Sequence, residues 1–195
     1  MKENFKKILG LVSKNLSHLN EREVKELTLQ IKKSKRIFIV GAGRSGLVGR
    51  AFGMRLMHLG FEVFIVGDTI NPSIKKEDLL LAVSGSGETS FVVSCAKAAK
   101  RNKARVLSIC GNRESSLGQF SDFFLKIPTN IRKKGFKEKD YTTRELLGED
   151  AKNYAPLGTL FELSTMVFLD GVIALLVKEG KVSEEEMKKR HANLE

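Results

Sequence analysis

Five short apolar runs constrain what this chain can fold into. Ile37–Val40, Phe61–Val66, Leu79–Val83, Val106–Cys110 and Phe123–Ile127 are each brief, rich in Val, Ile and Phe, and largely continuous rather than alternating. A strand with one wet face alternates polar and apolar residues. A strand covered on both faces does not, and such strands belong to a parallel sheet between layers of helix. Stretches with helical spacing lie between most of the runs, at 45–59, 89–102 and 115–120. Two amphipathic helices, 3–18 and 20–34, precede them, with Val24, Leu27 and Ile31 on one stripe and Asn20 and Glu23 spaced as a capping box. The expected fold is α/β, a doubly wound five-stranded parallel sheet flanked by helices and joined by right-handed crossovers. The link between the second and third runs holds about a dozen residues, Asn71-Pro72 among them, which is barely enough for a crossover helix. The flavodoxin-like strand order 2-1-3-4-5, reversing beside the first strand, accounts for so short a link.

No linker or repeat divides the 195 residues, so one domain is expected: N-terminal helices over 1–35, an α/β core over 36–178 and a C-terminal helix over 179–195. Apolar residues make up 42% of the chain, which excludes wholesale disorder. Cys95 and Cys110 each lie in an apolar stretch and read as reduced core residues, and with His18, His58 and His191 they show no zinc spacing. The net charge of +11 suits an anionic partner, a phosphorylated metabolite or a nucleic acid. No segment interleaves basic with aromatic residues, so nucleic acid is not the expected partner. Leu160–Val177 is nearly long enough to span a membrane, but Glu162 and Asp170 interrupt it, and the start of the chain lacks the apolar run of a signal peptide. A soluble, cytoplasmic protein is expected. Residues 128–156 read as a long polar loop, mobile or part of a site. The helix expected from Pro156 to Lys178 is apolar on all sides, which points to an oligomer interface.

Two glycine loops carry the chemistry. The first, Gly41-Ala42-Gly43-Arg44-Ser45-Gly46, follows the first strand and opens a helix, and Asp68 lies 22 residues past Gly46, where a dinucleotide fold places its ribose-binding acid. Alone, this pattern fits either NAD or a tight turn that needs glycine only for its geometry. The second loop, Ser84-Gly85-Ser86-Gly87-Glu88-Thr89, follows the third strand. Its glycines admit an anion close to the backbone, its three hydroxyls can donate, and a helix starts behind it. That set fits a phosphate monoester, and a dinucleotide site has no use for it at the third strand.

Together the two loops resemble the sugar isomerase (SIS) domain family, whose members bind phosphosugars. Met54-Arg55-Leu56-Met57-His58-Leu59-Gly60 and Ala155-Pro156-Leu157-Gly158-Thr159-Leu160-Phe161-Glu162 narrow the likeness, which spans residues 30–178, to the 6-phospho-3-hexuloisomerases. The resemblance implies a cofactor-free isomerase of the ribulose monophosphate pathway. It would interconvert D-arabino-hex-3-ulose 6-phosphate and D-fructose 6-phosphate through a 2,3-enediol, as a homotetramer working alongside a hexulose-phosphate synthase. Another aldose–ketose phosphate isomerase of SIS type, or a phosphosugar-sensing module, remains an alternative. The resemblance also implies substrate binding by Ser45 and by Ser84, Gly85, Ser86, Gly87, Glu88 and Thr89, with Glu162 as proton acceptor.

The residues themselves agree on Glu162, one of two charges among residues 153–177, near a helix start where a base is in reach of an anchored sugar. A capping carboxylate is its structural alternative, and Asp170 reads as structural. His58, on a stripe with Leu47, Ala51 and Met54, is the candidate for proton transfer between oxygens, or else a satisfied core or interface histidine. Arg55 can steady an oxygen, and Arg44 can add charge for phosphate, although solvent exposure is the simpler expectation for it.

Overall fold

In a computed structural model, which describes residues 2–128, 155, 158–180 and 182–194, the chain forms the expected layered α/β unit. Its elements are α1 (Lys2–Leu16), α2 (Glu21–Lys33), β1 (Ile37–Gly41), α3 (Gly43–His58), β2 (Val63–Ile65), β3 (Leu79–Ser84), α4 (Ser90–Arg101), β4 (Arg105–Cys110), α5 (Ser116–Gln119), β5 (Phe123–Lys126), α6 (Thr159–Gly180) and α7 (Glu184–Lys189). The five strands are all parallel in the order β2-β1-β3-β4-β5. This is the order that the short second link implied. Residues 66–78 contain no helix. The Asn71 side chain holds the turn there by donating to the carbonyls of Ile65 at 2.6 Å and Asp68 at 3.0 Å.

Residue parity sorts the core into two. Odd positions of the strands (Ile37, Ile39, Leu79, Leu81, Val83, Leu107, Ile109) pack with Leu27 and Ile31 of α2, Phe52 and Leu56 of α3, and Phe161 to Leu176 of α6. Even positions (Phe38, Val40, Leu80, Ala82, Val106) meet Val92, Ala96 and Ala99 of α4 and Leu117 of α5. Both faces are thereby dry, which is why the strands read as unbroken apolar runs.

Beneath the sheet, at the strand entrances, Arg36 closes the β2–β3 link. Its guanidinium grips the buried Asp78 carboxylate with Nε at 3.0 Å and an Nη at 2.6 Å, and donates to the Ser73 carbonyl at 3.0 Å. The Lys75 backbone N–H completes the Asp78 shell at 2.7 Å.

Two expectations are amended. The Asn20–Glu23 capping box is half formed: Asn20 accepts from the Arg22 N–H at 2.9 Å, whereas Glu23 turns to Arg113 and to the Lys126 backbone N–H, both at 2.8 Å. The C-terminal helix is not continuous over 179–195. Helix α6 runs to Gly180, and Ser183 with Glu186 forms a full capping box for the six-residue α7. Helix α6 is long and apolar enough by composition to cross a membrane, yet half of its apolar stretch is buried within this fold, against the sheet, α3 and α1. The expected loop over 128–156 lies outside the described residues except at its ends, as do Pro156 and Leu157.

Candidate functional site

The described residues form a cleft where the sheet order reverses, at the carboxyl ends of β1 and β3, the position where ligands bind in such sheets. It is lined by Ala42 and Ser45 from the first loop, Val83 from the end of β3, Ser84, Gly85, Ser86 and Thr89 from the second loop, and Gly158, Phe161 and Glu162 from the start of α6. Three helices therefore begin at one place: α3 after Ala42, α4 after Thr89 and α6 at Thr159. A helix N-terminus carries about half a positive charge and unpaired N–H groups, so three of them facing one cleft favour an anion strongly.

Glycine is needed at two points. Gly41 and Gly46 approach so closely that a Cβ on Gly41 would sit 2.9 Å from the Gly46 Cα and N, so the turn from β1 into α3 closes only without side chains. Gly87 has φ +68°, and a Cβ there would overlap Ser115 and the Cys110 sulfur.

The second loop is held by its own hydroxyls. Ser84 Oγ accepts from the Gly87 N–H at 3.1 Å and lies 3.2 Å from Thr89 Oγ1, and Ser86 Oγ accepts from the Glu88 N–H at 3.2 Å. An oxygen that accepts from the backbone keeps its own proton for another partner. Burial pushes the Cys110 thiol up, against lowering hydrogen bonds from Asn112 and Ser115, and Cys95 is raised by burial as well. Both are free thiols.

The cleft brings together Ser45, Ser84, Gly85, Ser86, Thr89 and Glu162. Glu162 sits in the first turn of α6, its side chain 13% exposed, and its carboxylate accepts from Nε of Arg44. Arg44 is exposed as the sequence suggested, yet it is paired across the cleft mouth, a contact between residues 118 apart that no local pattern signals. Phe161 and Val83 also line the cleft and were not singled out beforehand.

Gly87 lies behind the lining, and Glu88 turns to Ser116, whose backbone N–H and Oγ donate to its carboxylate at 3.2 and 2.7 Å. His58 lies elsewhere. It ends α3, thirteen residues beyond Ser45 and so about 20 Å along the helix axis at 1.5 Å per residue. It is buried, its ring 5.0 Å from that of His191, and its carbonyl accepts from Arg190 at 3.2 Å. Of its expected stripe, Leu47 and Met54 are exposed. Asp68, the acid that suggested a dinucleotide, is engaged by both Nη atoms of Arg50, at 2.6 and 3.3 Å.

Fold and cleft define a doubly wound α/β protein with a glycine- and hydroxyl-rich cleft at its switch point. The chain belongs to the SIS domain family, which residues 30–137 match. It is 39% identical over 197 residues to the 3-hexulose-6-phosphate isomerase of Methanocaldococcus jannaschii, covering 95% of this chain and 96% of the relative. It is 35% identical to the Bacillus subtilis protein of that name, covering 99% and 98%. A crystal structure of a hypothetical protein from Methanococcus jannaschii, for which 3-hexulose-6-phosphate isomerase function was inferred, superposes with a TM-score of 0.76 at 37% identity over 100% of both chains.

Proposed function

We infer that this chain is a sugar-phosphate isomerase, and that it interconverts D-arabino-hex-3-ulose 6-phosphate and D-fructose 6-phosphate. The observation that carries the reading is Glu162 facing the Ser84–Thr89 loop across a cleft at which three helices begin. Full-length relatives named for this activity support it. The reaction moves a carbonyl between C3 and C2 and is redox-neutral overall. It needs an anchor, a carbon base and a route for oxygen protons.

The loop hydroxyls of Ser84, Ser86 and Thr89, with Ser45 and the helix starts, hold the phosphate. The Glu162 carboxylate takes the proton from C2, giving the 2,3-enediol, and returns it at C3. Arg44, paired with Glu162, supplies positive charge at the mouth of the cleft. A role for His58 in moving protons between oxygens requires both that it leave its packing beside His191 and that it enter a neighbouring copy's cleft, as its own chain buries it about 20 Å along α3. By resemblance the protein is a tetramer, and at least a dimer, in the cytoplasm. The exposed Leu47, Met54 and Met57 on α3 and Val167 on α6 are apolar surface suited to such contacts.

The test is a coupled assay. Purified protein receives fructose 6-phosphate and a hexulose-phosphate synthase, and formaldehyde release is followed. Release that depends on the chain supports the reading. No release, with phosphosugar binding intact, rejects the hexulose specificity.

A further inference from the structure

Glu88 belongs to the ligand loop by sequence but faces away from the cleft. We propose that Glu88 is a positioning residue, which locks the loop to the turn between β4 and α5 and so sets the Ser86 hydroxyl before the ligand arrives. The proposal rests on reading Ser84–Thr89 as the phosphate site.

The back of the loop is attached to the β4–α5 turn at three successive places. The Gly85 carbonyl accepts from the Gly111 N–H at 3.1 Å, and the Gly87 carbonyl from the Leu117 N–H at 2.9 Å. Between them the Glu88 carboxylate takes the Ser116 N–H and hydroxyl. The receiving turn is itself fixed, because Ser115 Oγ donates to the Asn112 carbonyl at 2.7 Å and accepts from the Gly118 N–H at 3.2 Å. Two of the three attachments are backbone to backbone and indifferent to residue type. The third depends on Glu88. The same residue's N–H donates to Ser86 Oγ, so the side-chain anchor and the ligand-facing hydroxyl are joined through one peptide unit. Charge gives a second reason for the orientation. A carboxylate aimed at a phosphate dianion would repel it, and two donors on Ser116 hold this one aside.

The experiment compares Glu88→Ala, Glu88→Gln, Ser116→Ala and Ser86→Ala in the full chain. The readouts are kcat and KM for isomerisation and the inhibition constant of inorganic phosphate. Glu88→Ala is expected to raise KM and the phosphate constant together by about three- to tenfold, at nearly constant kcat, the size of a charge-assisted hydrogen bond open to solvent. Glu88→Gln keeps an acceptor for Ser116 and should recover most of that loss. Ser116→Ala should add little to Glu88→Ala, because both break one contact. A rise in KM without a change for phosphate would mean that Glu88 touches the sugar and overturn the proposal. So would tighter phosphate binding in both Glu88 variants, or no change in either. If Ser86→Ala weakens phosphate and Glu88→Ala does not, the Glu88 assignment alone falls. If Ser86→Ala has no effect, the Ser86 hydroxyl is not a ligand group, and the Glu88 assignment falls with it; the phosphate reading of the loop falls only if Thr89→Ala is silent as well.

Discussion

Replacing Glu162 by Gln separates a base from a helix-end carboxylate by magnitude. As a structural group Glu162 has two sources of stability. One is its pair with Arg44, whose side chain is 62% exposed, and such a pair contributes about 1 kcal/mol or less. The other is its place in the first turn of α6, worth about 0.3–1 kcal/mol. Gln retains an oxygen for Arg44, so the loss of fold stability should stay near 1 kcal/mol and at most about 2 kcal/mol. As a base its removal should cost about three powers of ten in kcat, or about 4 kcal/mol of barrier. The assay has three arms: a urea midpoint, calorimetric binding of fructose 6-phosphate, and kcat with solvent deuterium entry at C2 or C3 followed by NMR. The expected variant is folded, still binds the sugar phosphate, turns over at least about a thousandfold more slowly and admits no deuterium. More than about a tenth of wild-type activity, or undiminished deuterium entry, would refute the base assignment and leave Glu162 as a helix-end carboxylate.

Ser86→Ala should weaken substrate by about 1–3 kcal/mol by leaving a phosphate oxygen without its donor, and an unchanged KM in both Ser86→Ala and Thr89→Ala would remove the loop from the site. Asp78→Ala should cost about 2–4 kcal/mol by urea unfolding, since it strands the Arg36 guanidinium, whose side chain is only 13% exposed, and the Lys75 N–H; a loss below about 1 kcal/mol would contradict that account. Because burial raises the Cys110 thiol, the unfolded chain loses that proton first as pH rises past the ordinary thiol value near about 8.5, so the stabilisation is present below that pH and declines above it; the cost of Cys110→Ala should therefore shrink between neutral pH and pH of about 10. Light scattering at micromolar concentration should give a dimer or larger, and mixing inactive Glu162 and His58 variants should restore part of the activity if neighbouring copies complete the site.

The strands were legible because the three central ones are buried on both faces, and even the half-buried edge strand β2, Val63–Ile65, keeps ladder bonds from Ile37 N–H to the Glu62 carbonyl and from Val66 N–H to the Ile39 carbonyl, close to the run Phe61–Val66. The strand order followed from the short second link. The C-terminal break was missed, although Ser183 and Glu186 carry the spacing of a capping box just after Gly180. What was not legible depends on contacts between distant residues. Glu23 has the local spacing of a cap partner, but Arg113 and the Lys126 N–H, 90 and 103 residues away, compete successfully for it. Similarly, nothing in Ser84–Thr89 tells which way Glu88 turns, because Ser116 arrives from the next strand's far end. His58 was placed on a stripe with Leu47 and Met54, but the C-terminal residues Arg190 and His191 reach it across more than 130 positions.

The convergence of three helix starts on one cleft has a cost for the empty protein. Like ends of dipoles are held close together, and among the described residues the Arg44-paired Glu162 and the loop's internal bonds offset them. The site is then a frustrated part of an otherwise consistent fold, of the kind that trades stability for readiness. A dianion relieves that frustration, so it acts as a missing structural element as well as a ligand. Melting temperature should climb with the logarithm of phosphate concentration, steeply in dilute buffer and weakly in concentrated salt.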